Sequence, residues 1–146
     1  MSELRELYHE IIIDHGRNPR NFNILANANH IKEGYNPLCG DKITLYLNET
    51  NGVIKQLAFD GCGCAISIAS ASLMTETLKD KSIEEAFEIF RLFILLITEG
   101  INAEPLGKLA VLGGVCEFPA RVKCATLAWH TLNALLANDN KTVSTE

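Results

Sequence analysis

Three cysteines and one aspartate, placed in three segments that lie far apart in the chain, constrain its fold more than any other feature. They are Cys39, Asp41, Cys64 and Cys124 of a 146-residue chain. Each segment contains glycine or proline, or begins a helix, and can therefore hold a side chain in the open. A metal site that is assembled by folding has this pattern. The fold must then bring all three segments together.

The composition indicates a globular protein. Apolar residues make up 47% of the chain and charged residues 21%, which are ordinary values for such a protein. The length predicts a single domain over residues 1–146, with a polar tail from about residue 138. The net charge is −5 and the chain has no run of Lys or Arg, which argues against nucleic acid as a partner.

From the sequence we expect neither a signal peptide nor a membrane-spanning segment. Charges interrupt the first fifteen residues, whereas a signal peptide has a continuous apolar core. The most apolar window, residues 89–97, is too short to cross a bilayer, which takes about 20 residues. We therefore expect a cytoplasmic protein with no membrane partner. In the cytosol, five cysteines favour thiolate chemistry or metal binding over a disulfide framework.

The order of the predicted elements favours an α+β fold. Apolar periodicity, capping residues and turn signals predict a helix over 2–15, a short strand near 30–33 and a hairpin over 42–59 around Asn51-Gly52. They also predict three more helices: one over 65–79, one that begins with a capping box at Ser82, and one that begins at Pro119. Residues 100–114 are expected to form a loop. Because strands and helices are segregated along the chain, we expect a small antiparallel sheet of about three strands packed against several helices.

The first two candidate ligands share a tight turn. Pro37 fixes φ and Gly40 permits unusual backbone angles, so that Cys39 and Asp41 can point the same way. Cys64 follows a glycine-rich bend and stands at the start of a predicted helix, where the partial positive charge of the free N–H groups favours a thiolate.

Cys124 lies within about two turns of the start of the last helix. It is flanked by Arg121 and Lys123, and both cations favour a thiolate. Thiolate and carboxylate ligands suit a tetrahedral zinc site. Three thiolates and a carboxylate around one divalent ion leave an excess of negative charge, which is costly without nearby cations. We expect Arg121 and Lys123 to compensate it.

Simpler readings apply to each residue. A single cytosolic cysteine is more often a small buried apolar side chain than a ligand, and an aspartate after glycine is often just a turn residue. Cys62 could be a second thiol or part of a redox pair, and Cys116 is read as structural. The histidines at positions 9, 15 and 30 have no evident partner and are expected to play surface or capping roles.

Three motifs taken together resemble one known family. They are NPLCGD at residues 36–41, GCAIS at 63–67 and RVKCA at 121–125, and they resemble the IscU/NifU-like iron–sulfur scaffold family over nearly the whole chain. Lys123 stands where the IscU branch has a histidine, and the segment between Cys64 and Cys124 is longer than in that branch. Both features are similar to the SufU branch.

The resemblance implies a function as well as an IscU/NifU-like fold. It implies zinc on Cys39, Asp41, Cys64 and Cys124, with Cys39 accepting persulfide sulfur and Arg121 required for activity. The implied donor is a pyridoxal-phosphate-dependent cysteine desulfurase of the SufS type, and the implied recipients are downstream iron–sulfur assembly proteins or apoproteins. Cys62 and Cys116 fall outside the family pattern.

Two other functions stay open on the sequence. The same thiolates could carry a transient [2Fe–2S] cluster that is assembled here and then transferred to an apoprotein. Alternatively, zinc could stabilise an interaction module that carries out no sulfur chemistry. The chain would be an enzyme only in the sense of a zinc-dependent sulfurtransferase.

Overall fold

The structure is a computed structural model that describes residues 2–137 and 143–144. In chain order, the elements are α1 (Ser2–Arg17), β1 (His30–Asn36), β2 (Asp41–Thr50), β3 (Val53–Cys62), α2 (Ala65–Leu78), α3 (Ile83–Glu99), a 3₁₀ segment (Glu104–Glu117), α4 (Pro119–Leu136) and β4 (Val143–Ser144). Among the described residues, no helix has both the length and the hydropathy needed to cross a membrane.

The sheet has the strand order β3-β2-β1-β4. β1, β2 and β3 are antiparallel neighbours, and β4 runs parallel to β1. The predicted α+β architecture, a three-stranded antiparallel sheet with helices, is confirmed. The tail predicted from Asn138 onward lies mostly outside the described residues, but Val143 and Ser144 pair with Gly34 and Tyr35. These two residues of the predicted polar tail therefore belong to the sheet.

Local signals account for several element boundaries. Asn51 and Gly52 both have positive φ, at 54° and 77°, as the type I′ turn of a two-residue hairpin requires. Ser82 and Glu85 form the complete capping box at the start of α3, and Pro119 stands in the first turn of α4. These three sequence predictions are confirmed.

The predicted loop over 100–114 is wrong from residue 104 onward, because the chain forms 3₁₀ turns over Glu104–Glu117; residues 100–103 have no regular secondary structure. Leu106, Leu109 and Leu112 in this segment are at most 1% exposed. Their spacing of three residues matches the three residues per turn of a 3₁₀ helix. Val111 and Val115 are buried as well, so at least one apolar side chain per turn reaches the core.

The core lies between the sheet and the helices. α4 packs on β1 and β2, and α2 packs on β3. Trp129 of α4 is fully buried, stacks on Phe93 of α3 and donates from Nε1 to Ser70 Oγ of α2 at 3.2 Å. Ser70 Oγ in turn donates to the carbonyl of Ala125 at 2.6 Å. These contacts fix α4 against α2.

Gly34 lets α4 cross β1 closely. A Cβ at this position would overlap Thr131 Oγ1 and would lie 3.2 Å from Leu127 Cδ1. Thr131 therefore lies over Gly34. Cys124, about two turns earlier on the helix, reaches the end of β1 at Asn36.

His15 is buried instead of lying at the surface. Its side chain is 1% exposed, and Nδ1 lies 2.7 Å from Ser72 Oγ. Nε2 lies 3.6 Å from Glu76 Oε1. The expectation that this histidine has no partner is wrong, because the packing of α1 on α2 brings the two helices into contact.

Candidate metal centre

The turn between β1 and β2 carries the first two predicted ligands. Asn36 and Asp41 pair across the two strands, and Gly40 adopts the left-handed conformation with φ 72°. Asp41 is fully buried, whereas Cys39 is exposed on the turn. The sequence prediction that this turn presents both residues at one place is confirmed by their ligand atoms, which lie within 4.8 Å of each other.

Cys64 is the N-cap residue of α2. Its Sγ accepts a hydrogen bond from the backbone N–H of Ser67 at 3.4 Å, and its own backbone N–H donates to Asp41 Oδ1 at 2.9 Å. Gly63 is needed for this contact, because a Cβ there would stand 2.6 Å from Asp41 Oδ1. The start of α2 thus positions the carboxylate.

Cys124 completes a group that could bind a metal ion. It is buried on α4, and its Sγ lies 3.4 Å from Cys39 Sγ. One ligand atom each from Cys39, Asp41 and Cys124 lie within 4.8 Å of one another. The sulfur of Cys64 is not in this group, so its role as the fourth ligand stays a prediction.

Burial disfavours the thiolate form of Cys124 when no metal ion is bound. Desolvation raises the pKa of the Cys124 thiol strongly, and hydrogen bonds with Cys39, Cys64 and Asp41 raise it further, as does the charge of Cys64. A bound divalent cation opposes these effects and stabilises thiolates. Two sulfurs and a carboxylate oxygen are donors that zinc prefers, and the group fits such an ion.

Arg121 is the cation at this site. It is exposed, and its pKa is raised by a hydrogen bond with Cys124 and then by the negative charges of Cys64 and Cys124, with a smaller effect of Cys39. The negative charge of the cysteines thus acts on this guanidinium, and its role as the compensating cation stays a prediction. Lys123 was expected to share the role, but no hydrogen bond or ion pair links it to the described cysteines.

Sequence reasoning missed Asn36. Its side chain is fully buried, and Nδ2 donates to Asp41 Oδ2 at 3.1 Å and to Cys124 Sγ at 3.7 Å. The only signal in the sequence was its place before Pro37, which favours an extended conformation.

The other two cysteines stand apart from this group. Cys62 is exposed at the end of β3. Cys116 is half-buried in the 3₁₀ segment, where its Sγ would lie 3.1 Å from a Cβ at Gly100. This packing supports the structural reading of Cys116.

Comparison with known proteins finds relatives that act in iron–sulfur cluster assembly or sulfur transfer. The chain is 39% identical over 140 residues to the zinc-dependent sulfurtransferase SufU of Bacillus subtilis, covering 94% of this chain and 95% of that protein. It is 37% identical to the iron–sulfur cluster assembly scaffold protein IscU of Streptococcus pyogenes, covering 90% and 84% of the two chains. The predicted resemblance to the SufU and IscU proteins is confirmed.

Solved structures share the fold. A proposed iron–sulfur cluster assembly scaffold protein for the SUF system of Fervidobacterium islandicum superimposes with a TM-score of 0.84 at 34% identity, covering 90% of this chain and 98% of that one. The N-terminal part of a NifU-like protein from Brucella abortus gives 0.83 at 20% identity, covering 93% and 96%, and shows the fold alone. The model of the NifU-like N-terminal domain matches residues 7–135. With most of its length covered by that match, the chain belongs to the NifU-like N-terminal domain family.

Proposed function

We propose that this protein accepts sulfane sulfur on Cys39 from a pyridoxal-phosphate-dependent cysteine desulfurase of the SufS type and passes it to the iron–sulfur assembly machinery. The observation that carries the proposal is an asymmetry within the metal-binding group. Cys39 is exposed on its turn, whereas Asp41 and Cys124 are fully buried. One sulfur is thus open to a partner while the rest of the group is held by the fold. We place this reaction in the cytoplasm, where free thiols stay reduced.

In this proposal, zinc is held by Cys39, Asp41 and Cys124, with Cys64 as the fourth ligand. The bound ion supplies one thing to the chemistry, which is to keep its sulfur ligands deprotonated. The Bacillus subtilis relative is a zinc-dependent sulfurtransferase, which supports this assignment, as does the donor set of the group.

The residues around Cys39 suit a transfer step. Pro37 and Gly40 bound the turn on either side and allow the Cys39 side chain to move outward without disturbing β1 or β2. The Cys39 thiolate attacks the terminal sulfur of the donor's persulfide. A new S–S bond forms on Cys39, the donor's S–S bond breaks, and the donor's cysteine leaves as a thiolate. Arg121, a cation that interacts with the cysteines, stabilises the anionic groups during this exchange.

The second candidate is a scaffold, for which a [2Fe–2S] cluster is cargo on the same residues. It is favoured by the similarity to IscU relatives, which are iron–sulfur cluster assembly scaffold proteins. The cysteines of the group and Cys64 offer the thiolates that such clusters use.

The discriminating experiment measures zinc content and activation of a cysteine desulfurase. Sulfur acceptance predicts about one zinc per chain, and it predicts that Cys39→Ala folds but no longer stimulates the desulfurase. Cys62→Ala removes an exposed cysteine outside the group and is the matched control, with full stimulation expected. A Cys39→Ala variant that stimulates normally would refute the proposal.

The same preparation tests the other functions. Scaffolding predicts brown protein after anaerobic reconstitution with iron and sulfide, and delivery of the cluster to an apoprotein. A purely structural zinc predicts that Cys39→Ala unfolds the chain, because metal binding then supplies folding free energy.

A further inference from the structure

Asn36 joins two buried members of the metal-binding group. Its Nδ2 donates to Asp41 Oδ2 at 3.1 Å and, in a longer contact, to Cys124 Sγ at 3.7 Å. A side-chain amide carries two N–H hydrogens, so each acceptor can receive its own. All three side chains are 0% exposed. Water therefore does not compete for these hydrogen bonds.

Cys39 stands outside this buried unit. Among the described residues, its sulfur makes a hydrogen bond with Cys124 Sγ and none with Asn36 or Asp41. The carboxylate of Asp41 has a separate support on its other oxygen, the backbone N–H of Cys64. Cys39 can therefore leave without breaking any of the bonds that Asn36 makes.

The orientation of the Asn36 amide leaves its oxygen unpaired. Within the part of the chain that the structure describes, two buried side-chain polar atoms have no partner, Asn36 Oδ1 and Ser67 Oγ. Both residues touch the site, since the backbone N–H of Ser67 donates to Cys64 Sγ. An unpaired buried oxygen is costly. This orientation is favoured because both neighbours, the Asp41 carboxylate and the Cys124 sulfur, accept hydrogen bonds from the amide N–H groups.

From these contacts we propose that Asn36 is a positioning residue, which holds Asp41 and Cys124 together while Cys39 leaves the group to take sulfur. The role rests on the sulfur-acceptor function proposed above. It has a consequence that simple packing does not have. Loss of the Asn36 amide should weaken metal binding most when Cys39 is not a ligand.

The experiment is a double-mutant cycle on zinc affinity, measured for the full chain by competition with a chromogenic chelator. Asn36→Ala is made in the wild type and in Cys39→Ala. We expect a loss of about tenfold in the first background and nearer a hundredfold in the second, within the range for residues that orient metal ligands. Equal losses in both backgrounds, or no loss, would overturn the proposal.

A further variant separates N–H donation from shape. Asn36→Leu keeps about the same volume but removes both N–H donors, so it should bind zinc about as weakly as Asn36→Ala. Wild-type zinc affinity in Asn36→Leu would contradict the role. Asn29→Ala is the matched control, because Asn29 hydrogen-bonds with Glu49 at the opposite end of β1, about 23 Å along the strand. This substitution should leave the zinc affinity unchanged both in the wild type and in Cys39→Ala. Zinc affinity is read without the desulfurase, so failure of sulfur acceptance would be seen separately.

Discussion

Gly63→Ala should displace Asp41 without straining the backbone. Gly63 is not in the left-handed region, so alanine fits its φ. The new Cβ, however, would lie 2.6 Å from Asp41 Oδ1 and 3.1 Å from Cγ. The carboxylate has to move by several tenths of an ångström, and it then loses the hydrogen bond from the Cys64 backbone N–H at 2.9 Å.

The size of the effect follows from that bond. A hydrogen bond to a charged group contributes about 1.5–3 kcal/mol, and Asp41 is fully buried, so water does not replace it. We expect the free energy of unfolding of the metal-free protein to fall by about 2 kcal/mol, which lowers Tm by about 4–8 °C in a domain near this size. Zinc affinity should fall at least about tenfold, because one ligand is misplaced.

Thermal unfolding followed by circular dichroism, and zinc competition, measure these two quantities. Gly114→Ala is the matched control, since a Cβ there meets nothing within 4 Å and the backbone is also outside the left-handed region. The reasoning is refuted if Gly63→Ala behaves like Gly114→Ala. It is also refuted if the Gly63→Ala penalty is undiminished in an Asp41→Ala background, where the clashing oxygen is gone.

Three further predictions concern other parts of the molecule. Burial lowers the pKa of His15, so the folded protein favours the neutral imidazole and Tm should fall as pH drops below about 6.5. His15→Gln should flatten this dependence of Tm on pH. Equal slopes of Tm against pH for the wild type and His15→Gln would contradict the prediction. Leu38→Glu alters a side chain that is 70% exposed beside the reactive turn. It should raise the desulfurase concentration that gives half-maximal stimulation several-fold, with the zinc content unchanged. Ile24→Glu, at a site 67% exposed in another loop, should leave that concentration unchanged. Arg121→Ala should slow sulfur uptake at least about tenfold with zinc retained, because a cation that interacts with the cysteines is lost. Arg91→Ala, which removes an exposed ion pair within a helix, is the control. Equal rates of sulfur uptake for the two variants would count against a role for Arg121.

Elements governed by neighbouring residues were predictable. The Asn51-Gly52 turn needs two positive φ values, and few other dipeptides allow them. The capping box at Ser82 is likewise a contact between residues three apart. The 3₁₀ segment was missed because its helical character depends on leucines that reach the core one per turn, and isolated short 3₁₀ runs have weak intrinsic preference.

The same division holds at the site. By itself, the sequence determined that Cys39 and Asp41 face one place, because a short turn with proline and glycine fixes their relation. Only the tertiary structure decided that the sulfur of Cys124 meets that of Cys39, that Asn36 bridges the two buried ligands, and that His15 is buried against α2. Contacts of this second kind join residues up to 88 positions apart, and their strength comes from exclusion of water. Desolvation depends on which remote surfaces pack together, so no local pattern of residues specifies it.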